Sequence, residues 1–149
     1  MESRDKAESV PDVSILIPAY ESASFIDRTL LFARGQTHGN ISIIVSVDVS
    51  TDDTADIVRS HCAADARVTL HQQGARLGWA GNVNFLLHQV ETPYFFIYFH
   101  DDILLPQYTH HMLQALPRAP EAAGAYCDMG PLAVRARAPH GPASPCPPA

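Results

Sequence analysis

Short β-branched runs alternate with helix-length segments along most of this chain, and that alternation restricts it to very few architectures. Val13-Ser14-Ile15-Leu16-Ile17 is a compact apolar run that predicts a buried strand, stopped by Pro18. Phe25 to Arg34 predicts a helix, with Ser24 as N-cap and Gly35 as the left-handed residue just past its end. Ile41 to Val47 is the next strand, and Ser50 then caps a helix through Ala63 with the Asp53 carboxylate near its N-terminus. Val68-Thr69-Leu70 predicts a short strand, a Gly74 to Gly78 loop leads to a helix over Trp79 to Gln89, and Tyr94 to Phe99 is a fourth strand. Tyr108 to Leu116 reads as helix and Gly124 to Cys127 as a last strand. Strands and helices in this order build βαβ units, so the expected fold class is α/β, a mostly parallel sheet with helices on both faces. Such sheets bind ligands at the carboxyl ends of their strands.

Composition fixes the limits of that unit. With 149 residues the chain suits one domain, and its formal net charge of −6 argues against nucleic acid as a partner. Residues 130–149 hold six of the twelve prolines and no acidic residue, so the foldable part spans about residues 11–129 and a Pro/Ala-rich disordered tail is expected over 130–149. Cys62, Cys127 and Cys146 are too few and too far apart for a disulfide framework, which suggests a reducing cytoplasm. Met1 to Val10 contains no apolar stretch of the kind a secretory signal carries, and Tyr94 to Phe99 is far too short to span a bilayer.

Three strand exits then hold the chemistry: Pro18-Ala19-Tyr20, Asp48, and His100-Asp101-Asp102. Tyr20 can lay its ring against a base or pack as an amphipathic surface ring. Asp48 can accept from free N–H groups of a following helix or from a nucleotide. Asp101 and Asp102 repel one another, which a hard divalent cation relieves; a solvated turn before Pro106 is the other reading. Trp79 beside Gly78 is either a core anchor or a pocket wall. Cys62, among Ile57 and Val58, reads as a structural thiol. Neither G-x-G-x-x-G nor G-x-x-x-x-G-K-[ST] occurs, which sets aside the common nucleotide-binding loops.

Taken in order, the chain contains Val13-Ser14-Ile15-Leu16-Ile17-Pro18-Ala19-Tyr20, Leu30 with Gln36-Thr37, and Val47-Asp48-Val49-Ser50-Thr51-Asp52-Asp53-Thr54. Gly78-Trp79-Ala80-Gly81-Asn82-Val83-Asn84 and Tyr98-Phe99-His100-Asp101-Asp102 follow. This series resembles the family 2 glycosyltransferases, enzymes of the GT-A fold, over about residues 11–127. The resemblance implies that Pro18, Ala19 and Tyr20 hold the nucleotide base, that Asp48 hydrogen-bonds its edge, and that Asp101 lies near the ribose and sugar phosphate. It implies a divalent metal, Mn²⁺ or Mg²⁺, on Asp102, with Gly78, Asn84 and Arg76 shaping the donor pocket. The implied partners are a UDP-, GDP- or dTDP-linked sugar and a glycan or other hydroxyl acceptor. His100, where an acid is frequent in the family, suits a hard cation less well.

The chain departs from that family's pattern at Glu21, Val47 and Val49, which replace Asn, Asp and Gly. Past Asp128 it has no acidic residue, so the carboxylate base of an inverting transfer has no counterpart there. The expectation is therefore a glycosyltransferase donor domain whose catalytic base is missing. The alternative is a truncated, inactive remnant that binds a sugar nucleotide or a partner chain. An unfinished sheet edge would favour self-association.

Overall fold

Two seven-residue strands, β1 (Val13–Ala19) and β2 (Ile41–Val47), form the centre of a sheet, and almost every residue in them is buried. Both faces of such strands need cover, which explains why their sequences are apolar or small without alternation. In the computed structural model, which describes residues 12–116, 123–125 and 127, β3 (Val68–Gln72) pairs outside β2 and β4 (Tyr94–Ile97) outside β1. All pairings are parallel and the order is β3-β2-β1-β4, with Val13 opposite Ile41 on one side and Tyr94 on the other. This is the expected α/β sheet.

Alternate residues divide the core. Ile15, Ile17, Ile43 and Val45 pack with Ile26 and Leu30 of α1 (Ile26–Arg34) and with Val58 of α2 (Thr54–Ala64). Leu16 and Ile44 point the other way, to Leu86 of α3 (Gly78–Leu87). A fully buried Ile or Leu contributes roughly 1.5–3 kcal/mol. The α3 face is thinner, because Ser14 and Ser46 interrupt it. Their hydroxyls bond Thr92 Oγ1 at 2.8 Å and Gln73 Nε2 at 2.8 Å. A last helix, α4 (Tyr108–Ala115), lays Tyr108 edge-on to Phe96 of β4.

Several local expectations are corrected. β1 runs through Pro18 to Ala19, since a proline is excluded from a ladder only where its missing N–H would be needed. Neither Ser24 nor Ser50 caps a helix. Phe25 and Asp53 take the N-cap positions without side-chain bonds, and Ser50 Oγ instead accepts from Glu21 N–H at 3.1 Å. Gly35 closes α1 at φ −81°, which is not left-handed. β3 is two residues longer than expected, β4 ends at Ile97, and α3 is shifted one residue earlier at its start and ends at Leu87. Of the expected last strand, residues 124, 125 and 127 are described and take no strand. The expected tail, 130–149, and Cys146 lie outside the described residues. Cys62 is half-buried, and burial pushes its thiol up, as a structural role requires.

The ends of α1, α2 and the start of β3 meet at Asp65. Its carboxylate accepts from Arg67 Nη2 at 2.8 Å and from Arg34 Nε at 3.1 Å, and Arg67 Nη2 also donates to Arg34 O at 3.0 Å. Chiefly through Arg67, and against the opposing effect of burial, the carboxyl is held well below the usual carboxylate range. A depressed folded pKa stabilises the fold above the unfolded value and is lost as pH falls toward the folded one. Asp65→Asn is therefore expected to cost about 2 kcal/mol at pH 7. The deficit in urea unfolding should shrink progressively below about pH 4; a gap that stays constant with pH would contradict this account.

Candidate functional site

The strand order reverses beside β1, since β2 and β3 lie on one side and β4 on the other. In an open parallel sheet, that reversal splays the carboxyl ends into a crevice. Pro18 ends the pairing on one side of it early. Leu16 O accepts from Tyr98 N–H at 2.8 Å and Ala19 O from Asp48 N–H at 2.9 Å, so even residues of β1 bond toward β4 and odd ones toward β2. Pro18 is the next residue due to donate toward β4 and has no N–H. The β1–β4 pairing accordingly stops at Leu16, opposite Ile97, while β1 and β2 stay paired to Ala19.

Asp48 stands at the end of β2 and is only 2% exposed. Its Oδ1 accepts from Val49 N–H and Leu77 N–H, and its Oδ2 from Gly78 N–H, each at 2.9 Å. Burial pushes its pKa up, but these three bonds and the nearby Arg76 outweigh that and hold it below the ordinary value. Gly78 meets Asp48 with φ +69°, a left-handed geometry that glycine adopts without strain. The carboxylate thus ties the β2 exit to the start of α3. Arg76 Nε lies 3.7 Å from Asp48 Oδ2, and its guanidinium carbon lies 3.6 Å from the centroid of the Tyr20 ring. Tyr20, Asp48, Arg76 and Gly78 therefore form one cluster, with Pro18 and Ala19 buried behind it.

The loops after β1 and β2 are laced together. Ser22 N–H donates to Thr54 Oγ1 at 2.9 Å, Ala23 N–H to Asp52 Oδ2 at 2.9 Å, and Thr51 N–H to Glu21 Oε1 at 2.7 Å. Burial raises the Asp52 pKa, but bonds from Thr54 and Ala23 more than offset it and leave it lowered. Glu21 adopts φ 45°, the left-handed region that Asn tolerates better than Glu. The bonds to Thr51 offset that strain.

On the far side of the crevice, His100-Asp101-Asp102 form a turn with both carboxylates exposed. Its backbone is braced from below. Thr29 Oγ1 of α1 donates to His100 O at 2.6 Å, and the Tyr98 hydroxyl donates to Asp102 O at 3.1 Å. Burial, with the Asp102 charge adding to it, pushes the Tyr98 hydroxyl up to about 12, so it remains a donor. Trp79, 68% exposed, stacks on Phe99 at 6.3 Å and reads as a wall of the crevice rather than a core anchor. No group of three His, Cys, Asp or Glu side chains able to hold a metal occurs among the described residues. Two adjacent exposed carboxylates fit Mg²⁺ or Mn²⁺ only as partial ligands, with phosphate oxygens and water completing the shell.

The Glycosyl transferase family 2 model matches residues 14–129. This chain belongs to that family. An uncharacterised glycosyltransferase of Rickettsia prowazekii (strain Madrid E) is 33% identical over 106 residues, 71% of this chain and 32% of that protein. Chondroitin synthase of Escherichia coli is 38% identical over 85 residues, 53% of this chain and 12% of that protein. Among solved structures, S. aureus TarS in complex with UDP superposes with TM-score 0.66 at 22% identity, over 72% of this chain and 32% of that one. The mannosyltransferase PcManGT from Pyrobaculum calidifontis, in complex with GDP-Man and Mn²⁺, gives 0.64 at 24% identity, over 71% and 32%. These likenesses establish the GT-A fold. The chain spans about a third of the length of the first curated relatives it matches.

Several family 2 motif residues turn out to be structural ties. Gln36 Oε1 accepts from Thr109 N–H at 3.0 Å and its Nε2 donates to Leu105 O at 2.9 Å, while Thr37 N–H donates to Pro106 O at 2.8 Å. Together they fasten the segment after the Asp101-Asp102 turn to the end of α1. In α3 the buried asparagine is Asn82, whose Nδ2 donates to Ser46 O at 3.0 Å, and its Oδ1 has no partner among the described residues. Asn84 stands exposed on the same helix, and no side-chain bond joins it to the cluster around Asp48. The spacing of Val83 and Leu86, both buried, is the signal that sets which face of α3 meets the sheet.

Asparagine at position 48 would offer one acceptor oxygen and turn an amide donor against a backbone N–H. Asp48→Asn is expected to lose about 2 kcal/mol in urea unfolding at pH 7. An unchanged midpoint would contradict the three-bond role assigned to this carboxylate.

Proposed function

We propose that this chain binds a nucleotide-diphosphate sugar across the carboxyl edge of its sheet and forms the donor side of an inverting glycosyl transfer. The observation that carries the reading is the Tyr20–Arg76–Asp48 cluster at one side of the unpaired β1–β4 exit and the braced Asp101-Asp102 turn at the other. Tyr20 offers a ring face to a base, and Asp48 Oδ2 retains acceptor capacity for a base N–H. Pro18, Ala19 and the Gly78 turn form the wall behind them. Asp101 would face the ribose and sugar phosphate, and Asp102 would hold Mn²⁺ or Mg²⁺ together with the diphosphate. A divalent ion so bound would supply positive charge against the developing charge of the leaving diphosphate. Asn84 is the weakest member of the set, being remote in bonding from the cluster.

In the transfer itself, the acceptor oxygen attacks the anomeric carbon, the bond to the diphosphate breaks, and the hydroxyl proton passes to a base. UDP with S. aureus TarS and GDP-Man with PcManGT support the donor class, a UDP- or GDP-linked sugar. A second reading is donor binding without turnover, since the carboxylates described at the crevice are either tied to backbone N–H groups, as Asp48 and Asp52 are, or stand in the turn proposed for the metal. Release of sugar onto an alcohol acceptor, assayed with the same donor, separates the two readings.

The donor site itself is tested by thermal melts with Mn²⁺ and UDP, GDP or dTDP. A nucleotide at a hundredfold excess over its dissociation constant should add about 2.7 kcal/mol of stability. The shift is expected for one base, only with metal present, and should disappear in Asp102→Ala, whose exposed side chain leaves the fold intact. Undiminished, metal-dependent binding by that variant would remove Asp102 from the site.

A further inference from the structure

The cluster beside the crevice has an occupant already. The Arg76 guanidinium carbon sits 3.6 Å from the Tyr20 ring centroid, which is van der Waals contact and leaves no gap for a base on that face. An ionised carboxylate offers about four lone-pair sites. In Asp48 three are taken by Val49, Leu77 and Gly78 N–H groups, and the remaining capacity of Oδ2 is turned toward Arg76 Nε at 3.7 Å. One side chain therefore makes both contacts that a nucleobase would seek, a planar group on the ring and an N–H toward the carboxylate. That side chain is itself 56% exposed, so little besides the Tyr20 ring holds it in place.

We infer that Arg76 is a specificity-determining residue that occupies the base slot in the free protein and makes the site read base and phosphate together. The inference rests on the donor-binding function proposed above. A nucleoside must displace the guanidinium and gains nothing from it afterwards. A nucleoside diphosphate displaces the same group and can then engage it through its phosphates, for which the planar fork of an arginine is well matched. The cost of displacement is common to both ligands, and the return comes only to the phosphorylated one. Selection against free nucleosides thus follows from a contact within the protein.

The contacts to be broken are weak, a surface cation–π pair and an exposed ion pair. Their loss is expected to tighten nucleoside binding by about threefold to tenfold, as removal of a competing closed state does. Calorimetric titration of the full chain with uridine, UDP, guanosine and GDP, with Mn²⁺ present, tests this in the wild type, Arg76→Ala and Arg76→Lys. For the base that binds, Arg76→Ala should bind the nucleoside more tightly and the diphosphate more weakly, so that the preference between them collapses. Arg76→Lys, which keeps the charge without the planar stack, should bind the nucleoside more tightly and retain most of the diphosphate affinity. Diphosphate binding to the wild type, with nucleoside affinity in Arg76→Ala equal to or below the wild-type value, would overturn the inference and leave the donor site standing. No diphosphate binding to the wild type would overturn the donor site and this inference with it.

Discussion

A buried carboxylate needs partners, and the way Asp48 acquires them determines how the carboxyl edge of this sheet is built. Its three backbone bonds reach across from the end of β2 to the turn that begins α3. Leu77, at φ −89° and ψ −24°, turns two successive N–H groups onto one side chain, and the left-handed Gly78 then redirects the chain into α3. α3 in turn brings Trp79 over Phe99 and places Asn82 against the ends of β1 and β2. One charged residue thereby sets the position of the Tyr20–Arg76 cluster and of the aromatic pair beside it.

The opposite side of the crevice is built differently. Among the described residues, neutral donors organise the Asp101-Asp102 turn from below, Thr29 to His100 O and Tyr98 to Asp102 O. Gln36 and Thr37 then hold the chain that leaves the turn. The carboxylates themselves remain exposed and uncommitted, as ligands for a hard cation shared with phosphate must be. Backbone bracing fixes the turn without spending the side chains that would do the binding.

The sheet, its parallel sense and the three strand exits were legible in the sequence because Ile and Val runs of seven residues have few other uses. Helix ends were not. Ser50 has the right residue type for a cap, yet its hydroxyl is engaged across the loops by Glu21, a partner that local sequence does not reveal. The same holds for Asp52 and Thr54, whose spacing looks like part of a binding loop and whose bonds stitch the β1 and β2 exits together. Asn82 and Asn84 differ only in which side of α3 they occupy, a matter of helix rotation set by Val83 and Leu86. Arg76 stacked on Tyr20 could not be read at all, since nothing in a sequence says which exposed side chains fold back on one another.

The unequal pairing of the strands also bears on motion. β2 is hydrogen-bonded on both sides, whereas among the described residues β4 pairs with β1 alone, over only four residues, and presents Tyr94 and Phe95 at 44% and 50% exposure. Segments with few buried contacts and one-sided pairing open at lower free energy than the strands at the centre of a sheet. Amides of β4 should therefore exchange with solvent hydrogen through a partial opening that leaves β1, β2 and Asp48 folded. The two halves of the crevice would then live on different clocks, a steady Asp48 side and an Asp101-Asp102 side that comes and goes.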